Sequence, residues 1–205
     1  MFLADKDIKK AVKAGEITLS DFDESRLQPA SYDILLGNKF IINDEYGTNF
    51  IDPVNKIYAK THEVTVADGE AFMLHPGVSV LGSSHDFFGS EKYLIQLGGK
   101  SSLARIGLMV HNTAGLINPG HFLNVTLELC NLNNVPIILR PKMKIGQLTF
   151  SQMTAEPEKD YKVTGRFSKN NWNNFAPPPE ESNRKTKAKS KVVTKKRPLI
   201  KLKKK

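Results

Sequence analysis

The sequence predicts a mainly β fold, a distorted jelly roll or barrel with one short helix at its N-terminus. Three observations carry that expectation. Helical periodicity is confined to residues 5–14. Beyond them, short runs alternate apolar and polar residues, the pattern of half-buried strands. Turn signals, Asp68-Gly69 and His75-Pro76-Gly77 among them, punctuate those runs.

In the helix, DKDIKKAVKA, Asp5 or Asp7 can cap the start, Ile8 and Val12 share a face, and Gly15 stops it. EAFML (70–74) and VSVLG (78–82) read as strands on either side of the His75-Pro76-Gly77 turn. NVTLELCN (124–131) is the most informative run. Val125, Leu127 and Leu129 alternate with Thr126, Glu128 and Cys130, so one face belongs in a core and the other presents a carboxylate. VPIILRP and MKIGQLTF follow as two more strands, with Pro141 and Lys142 between them. In the second, Gly146, Leu148 and Phe150 share a face that Gln147 does not. Roughly ten short strands in all suggest a barrel or jelly roll. No internal repeat is present.

The bulk numbers bound the rest. A chain of 205 residues, 40% hydrophobic, suits one domain with a real core, plus tails. From about residue 170 the alternation fails. NNWNNFAPPPEES is polar and proline-rich, and KTKAKSKVVTKKRPLIKLKKK is low in complexity, so the tail is expected to be disordered by itself. The division is a folded unit over 1–170 and a tail over 171–205. The net charge of +9 belongs to that tail. Twelve of the thirty basic residues fall in 182–205, which has no Asp or Glu, leaving eighteen against twenty-one acidic residues, a net of −3, in 1–181. Basic composition is therefore no argument that the folded part binds nucleic acid. The tail is either a solvated appendage or a contact for nucleic acid or another polyanion, and KKRP fits a nuclear-import signal. Cys130 is the only cysteine, which excludes intrachain disulfides and multi-cysteine zinc sites and points to a reducing, cytoplasmic setting. The start, MFLADKDIKKAVKAG, lacks the apolar region of a signal peptide, and no run reaches the roughly 18 apolar residues of a membrane span.

Three stretches can carry chemistry. GGKSSLAR (98–105) combines two glycines that permit close approach, the cations Lys100 and Arg105, and the hydroxyls of Ser101 and Ser102. It binds phosphate or simply starts a helix, and it is not a P-loop, whose spacing is absent. Glu128 either sits among apolar neighbours, where desolvation would raise its pKa and suit proton shuttling, or faces water at an edge. Arg105 either clamps an anion or makes a surface salt bridge. TAGLINPG (113–120) bends tightly at Gly115 and Pro119-Gly120, where a ligand could lie. The five histidines have no metal-ligand spacing, and His111 packs or caps beside the loop. The H-x-E and P-C-x-x-C pair of zinc deaminases is absent, as are the G-x-S-x-G, H-E-x-x-H and G-x-G-x-x-G motifs.

Taken together, QPASYDILLGNKF (28–40), GEAFMLHPG (69–77), GGKSSLARIGLMVHNTAGLINPG (98–120) and TLELCN (126–131) resemble the dCTP deaminase branch of the dUTPase superfamily. The likeness runs over about residues 1–150, with an echo to about 170. It implies a dUTPase-like jelly roll, a homotrimer with active sites between subunits, and Mg²⁺ bound through the substrate triphosphate. It also implies a zinc-independent reaction, hydrolytic loss of the 4-amino group of dCTP to give dUTP and ammonia. Matched position by position, Glu128, Ser101 and Arg105 would be catalytic. Glu128 would relay the proton, while Ser101 and Arg105 hold the water and the base. Lys100, Ser102, Ala114, Asn118, Thr126, Gln147, Tyr161 and Arg166 would bind the substrate.

Departures from the family pattern qualify this. Lys100 stands where arginine is usual, keeping charge but losing a bidentate contact. Leu116 replaces an arginine of simple deaminases. Gly115 and Gln147 look more like dUTPases and bifunctional deaminase–dUTPases. Asn118 takes the place of an aspartate that orients water in dUTPases, so diphosphate release is expected to be weak. The alternatives to a dCTP deaminase are thus a bifunctional enzyme or dUTPase forming dUMP and diphosphate, or a non-catalytic nucleotide-binding regulatory protein.

Overall fold

The structure, a computed structural model, describes residues 1–44, 49–165 and 167. The proposed tail, 171–205, lies outside them, as does Arg166. The described elements are helix α1 (Asp5–Lys13), strand β1 (Thr18–Leu19), a 3₁₀ turn (Glu24–Arg26), β2 (Leu27–Gln28) and β3 (Ser31–Asn43). After them come β4 (Thr61–Thr65), β5 (Phe72–Leu74), β6 (Ser79–Gly89), β7 (Tyr93–Gly99) and helix α2 (Ser101–Ala104). The rest are β8 (Leu108–Met109), β9 (Leu116–Ile117), β10 (Leu123–Asn131), β11 (Ile137–Leu139), β12 (Lys144–Gln152) and α3 (Tyr161–Thr164). The protein is mainly β, as expected, with twelve strands among the described residues against the roughly ten read from the sequence.

The main sheet runs β8-β10-β6-β3-β12-β7-β9 and curls into a half-barrel; β5 and β11 pair apart from it. β3 is its hinge. Its first residues pair with β12 (Asp33 opposite Gln147), and its later ones pair with β6 and β4 (Phe40 opposite Gly82 and Val64). Gly37 permits this switch, because a Cβ there would stand 2.8 Å from the Ser83 carbonyl oxygen. The alternation read in β10 is the alternation that forms. Leu127 and Leu129 are fully buried, each contributing about 1.5–3 kcal/mol, while Thr126, Glu128 and Cys130 stay half-exposed on the other face. In β12, Gly146, Leu148 and Phe150 are buried and Gln147 is not, again as read.

Two expectations change. The α1 N-cap is Ala4, with no side-chain cap, rather than Asp5 or Asp7. Of the first-turn donors, Asp5 N–H is taken by Pro29 O and Lys6 N–H by the Asp5 carboxylate at 2.7 Å, while Leu3 N–H anchors the preceding chain to Phe150 O. At the other end Gly15 takes φ +73° and closes the helix as expected. The strand seen in VSVLG continues as β6 through Gly89, across Ser83, Ser84, His85 and Asp86. Those polar residues break the alternation, so local pattern could not extend it. Ser83, Ser84 and Asp86 are buried and His85 is exposed, and the partners of Asp86 explain the burial of its charge. Asp86 pairs with buried Arg26 at 2.6 Å and accepts the Leu35 N–H at 2.7 Å; Arg26 also donates to the Asp21 carbonyl at 2.5 Å and lies 4.8 Å from the Tyr32 ring centroid. This pair locks β3 beside β6 at the point where β3 changes partner.

Candidate active site

Glu128 projects from the outer face of β10, opposite Leu81 of β6. β8 pairs with β10 two residues further on (Met109 opposite Cys130), so the chain after β8 runs past the carboxylate. There the Asn112 N–H donates to Glu128 Oε2 at 2.9 Å, and among the described residues Oε1 has no partner. Thr113, at φ +74°, then turns the chain away. Gly115 carries it back to β7: its carbonyl accepts the Leu97 N–H at 2.7 Å, and a Cβ there would lie 2.6 Å from the Leu97 carbonyl oxygen. A single excursion, 100–115, thus leaves β7 with Ser101, Ser102 and Arg105, passes Glu128, and returns by way of Ala114.

Ser101, Ser102, Arg105, Ala114 and Asn118 are all exposed, and the Arg105 guanidinium has no hydrogen bond or ion pair among the described residues. Thr126 shares the Glu128 face and pairs with Ser83. Gln147 lies between Asp33 of β3 and Gly98 of β7 across the sheet. Its amide accepts from the Ser31 hydroxyl at 3.2 Å and donates to the Gly99 carbonyl at 3.1 Å, bracing the 98–105 loop from below. No hydrogen bond or ion pair joins Glu128 to Ser101 or Arg105 among the described residues. The carboxylate on β10 and the cationic loop after β7 therefore stand at different strands of the main sheet, without a direct polar contact between them. A cleft of about 570 Å³, lined by Glu91, Lys92, Gly120, Gln152 and Asp160 among others, contains none of these residues.

Sequence reasoning missed one central residue. Asp33, with a 2% exposed side chain, binds the Lys100 ammonium at 2.5 Å and the Lys144 ammonium at 3.4 Å. Lys100, expected on phosphate, is turned inward onto this carboxylate. A lone acid inside the apolar alternation of SYDILLG was the available signal. Among the described residues, no three His, Cys, Asp or Glu side chains converge as a metal-holding group, nor is any helix long and apolar enough to cross a membrane.

Tyr161 sits at the start of α3, which Asp160 caps through the Lys162 N–H, and stacks on buried His121 with ring centroids 4.5 Å apart. Burial lowers the His121 pKa, and a hydrogen bond with the Phe167 backbone offsets part of that. The unfolded chain therefore takes up a proton before the folded one as pH falls. Stability is full above the unfolded pKa near about 6.5 and declines below it until the folded pKa is passed. His121→Phe keeps the stack without the titration. Thermal melting at pH 7.5 and pH 5.5 should show a smaller acid-side loss of Tm in this variant than in the parent; equal losses would contradict the assignment.

The sequence model of the dCTP deaminase-like family matches residues 2–153. A "dCTP deaminase, dUMP-forming" from Corynebacterium jeikeium is 44% identical over 162 residues, 78% of this chain and 86% of that protein. One of the same description from Mycobacterium leprae strain TN is 41% identical over 170 residues, 82% of this chain and 90% of that protein. Among solved structures, the 2'-deoxycytidine 5'-triphosphate deaminase from Agrobacterium tumefaciens superposes with a TM-score of 0.57 at 22% identity. That match covers 80% of this chain and spans about half, 52%, of the other.

Proposed function

The chain belongs to the dCTP deaminase-like family, and on that premise we propose that it hydrolyses the 4-amino group of dCTP with Glu128 as proton carrier. The observation that supports this most is the setting of Glu128. Its strand buries the opposite face, one carboxylate oxygen is held by the Asn112 N–H, and the other is open. Glu128 takes a proton from water as the water oxygen bonds to C4 of cytosine. It passes that proton to ring N3, then carries the proton of the new C4 hydroxyl to the amino nitrogen; the C4–N bond breaks, ammonia leaves, and a carbonyl remains at C4. The Ser101 hydroxyl and Arg105 guanidinium hold the water and stabilise charge on the intermediate; Ser102, Ala114, Thr126, Gln147 and Tyr161 bind around the nucleotide.

Ser101 and Arg105 are too exposed in one subunit to exclude water, so the site closes between copies of the chain. A homotrimer is the assembly this reading adopts, in the cytoplasm. Mg²⁺ commonly binds through substrate phosphates with few protein ligands. The residues fit such an ion: the carboxylate beside the loop, Asp33, is already satisfied by two lysines. The ion would neutralise triphosphate charge. The basic segment 182–205 is read as a polyanion contact, since residues 1–181 have the opposite net charge; a DNA affinity that survives its deletion would rule this out.

The relatives' dUMP-forming names favour a second step, attack of water on the triphosphate of dUTP to give dUMP and diphosphate. Asn118 orients water but cannot take its proton, so this step runs more slowly than deamination. Purified protein given dCTP and dUTP in parallel with Mg²⁺ should release ammonia and accumulate dUTP ahead of dUMP. Asn118→Asp should raise the dUMP yield about 10-fold or more. Diphosphate release as fast as deamination in the parent would overturn the role given to Asn118, and nucleotide binding without any turnover would instead support a regulatory protein.

A further inference from the structure

The Asp33 cluster holds two cations on one carboxylate, and the two differ in kind. Lys100 meets Oδ1 at 2.5 Å with a side chain 22% exposed; Lys144 meets Oδ2 at 3.4 Å and is 44% exposed. Lys100 belongs to the loop that carries Ser101 and Arg105, and its own carbonyl accepts from Leu103 and Ala104 at the start of α2. Lys144 begins β12, where a register shift separates it from Gly146. That irregularity places Ile145 and Gly146 consecutively in the interior, so Lys144 and Gln147, an odd number of residues apart, both serve the Asp33 side of the sheet. The fold has therefore arranged a second counter-ion for a buried carboxylate that already has a short, direct one.

We propose that the pair works as an ion exchange: Lys100 leaves Asp33 for the triphosphate of the substrate, and Lys144 stays to keep the buried carboxylate paired. A lysine could not leave an isolated buried carboxylate without stranding a charge in the interior, a strongly unfavourable state. Lys144 removes that obstacle. Lys144 is then a positioning residue that sets triphosphate affinity without touching the nucleotide. The inference rests on the reading that a triphosphate reaches the 98–105 loop.

The test is calorimetric titration of the full chain with inorganic tripolyphosphate and Mg²⁺. Lys144→Met should weaken binding about 5-fold or more, and Lys144→Arg should restore it. In a Lys100→Met background, where no lysine is left to exchange, adding Lys144→Met should change affinity little. An equal loss in both backgrounds would mean simple charge attraction, and no loss in the parent background would mean no role; either result overturns the exchange. Should the double variant not fold, Asp33→Asn serves as background, and Lys144→Met should likewise have no effect there. Turnover of dCTP by the same preparation separates the two readings. Without it the deaminase assignment falls, whereas turnover without the predicted dependence removes only the exchange.

Discussion

Glu128→Gln is expected to lower kcat for dCTP deamination by about 10³-fold or more while leaving dCTP affinity within about 3-fold. The amide is nearly isosteric. Its carbonyl oxygen can still accept the Asn112 N–H that holds the carboxylate at 2.9 Å, so the 100–115 excursion keeps its path and the core face of β10 is untouched. What is lost is the capacity to take a proton from water and pass it to the departing nitrogen. Both halves of the reaction need it, so the loss falls on kcat and not on binding. Ammonia release, nucleotide calorimetry and a melting curve on the same preparation check this. Turnover within about 10-fold of the parent, in a folded variant that binds dCTP, would remove Glu128 from the mechanism.

The second large effect is on stability. Arg26→Met should destabilise the protein by about 3–5 kcal/mol, because it leaves the Asp86 carboxylate in the interior without its counter-charge. In a domain of this size that corresponds to a drop in Tm on the order of 10 °C. The damage is not confined to one contact. Asp86 also accepts the Leu35 N–H at 2.7 Å, so a shifted carboxylate disturbs β3 just after Asp33, and triphosphate affinity should fall with Tm. Replacing both partners, Arg26→Met with Asp86→Leu, should recover much of the stability, since apolar packing substitutes well for a buried ion pair whereas half a pair does not. Melting curves of the two variants decide the matter; a double variant less stable than Arg26→Met alone would show that the Leu35 contact of Asp86, not the charge pair, dominates.

These two cases differ in how visible they were. Glu128 could be read because the pattern that exposes it is local: Leu127 and Leu129 bury their side of β10 and leave Glu128 on the other, whatever the neighbours are. The same reasoning found Gln147 on its own face of β12 and the helix stop at Gly15. It failed for Arg26 and Asp86, which are sixty residues apart and meet only because β3 changes partner beside β6. At the α1 start it was right only in part: Ala4 is the N-cap and Pro29 takes the Asp5 N–H, while the Asp5 carboxylate accepts the Lys6 N–H. It did not foresee Asp33 as the partner of Lys100, since nothing in GGKSSLAR announces that its lysine turns back onto a strand near residue 33.

By itself, then, the sequence determined the mainly β class, the face that Glu128 occupies, the loop that carries Ser101 and Arg105, and the family. Each depends on side chains within a few positions of one another, where the two-residue period of a strand or a contiguous motif is enough. Only the tertiary structure decided which charges meet. It closed Arg26 on Asp86, gave Asp33 two lysines, and set the Asn112 N–H on Glu128. Those outcomes follow from strand order and from register, which a shift of one residue between Lys144 and Gly146 can reverse while the local pattern of hydrophobicity hardly changes.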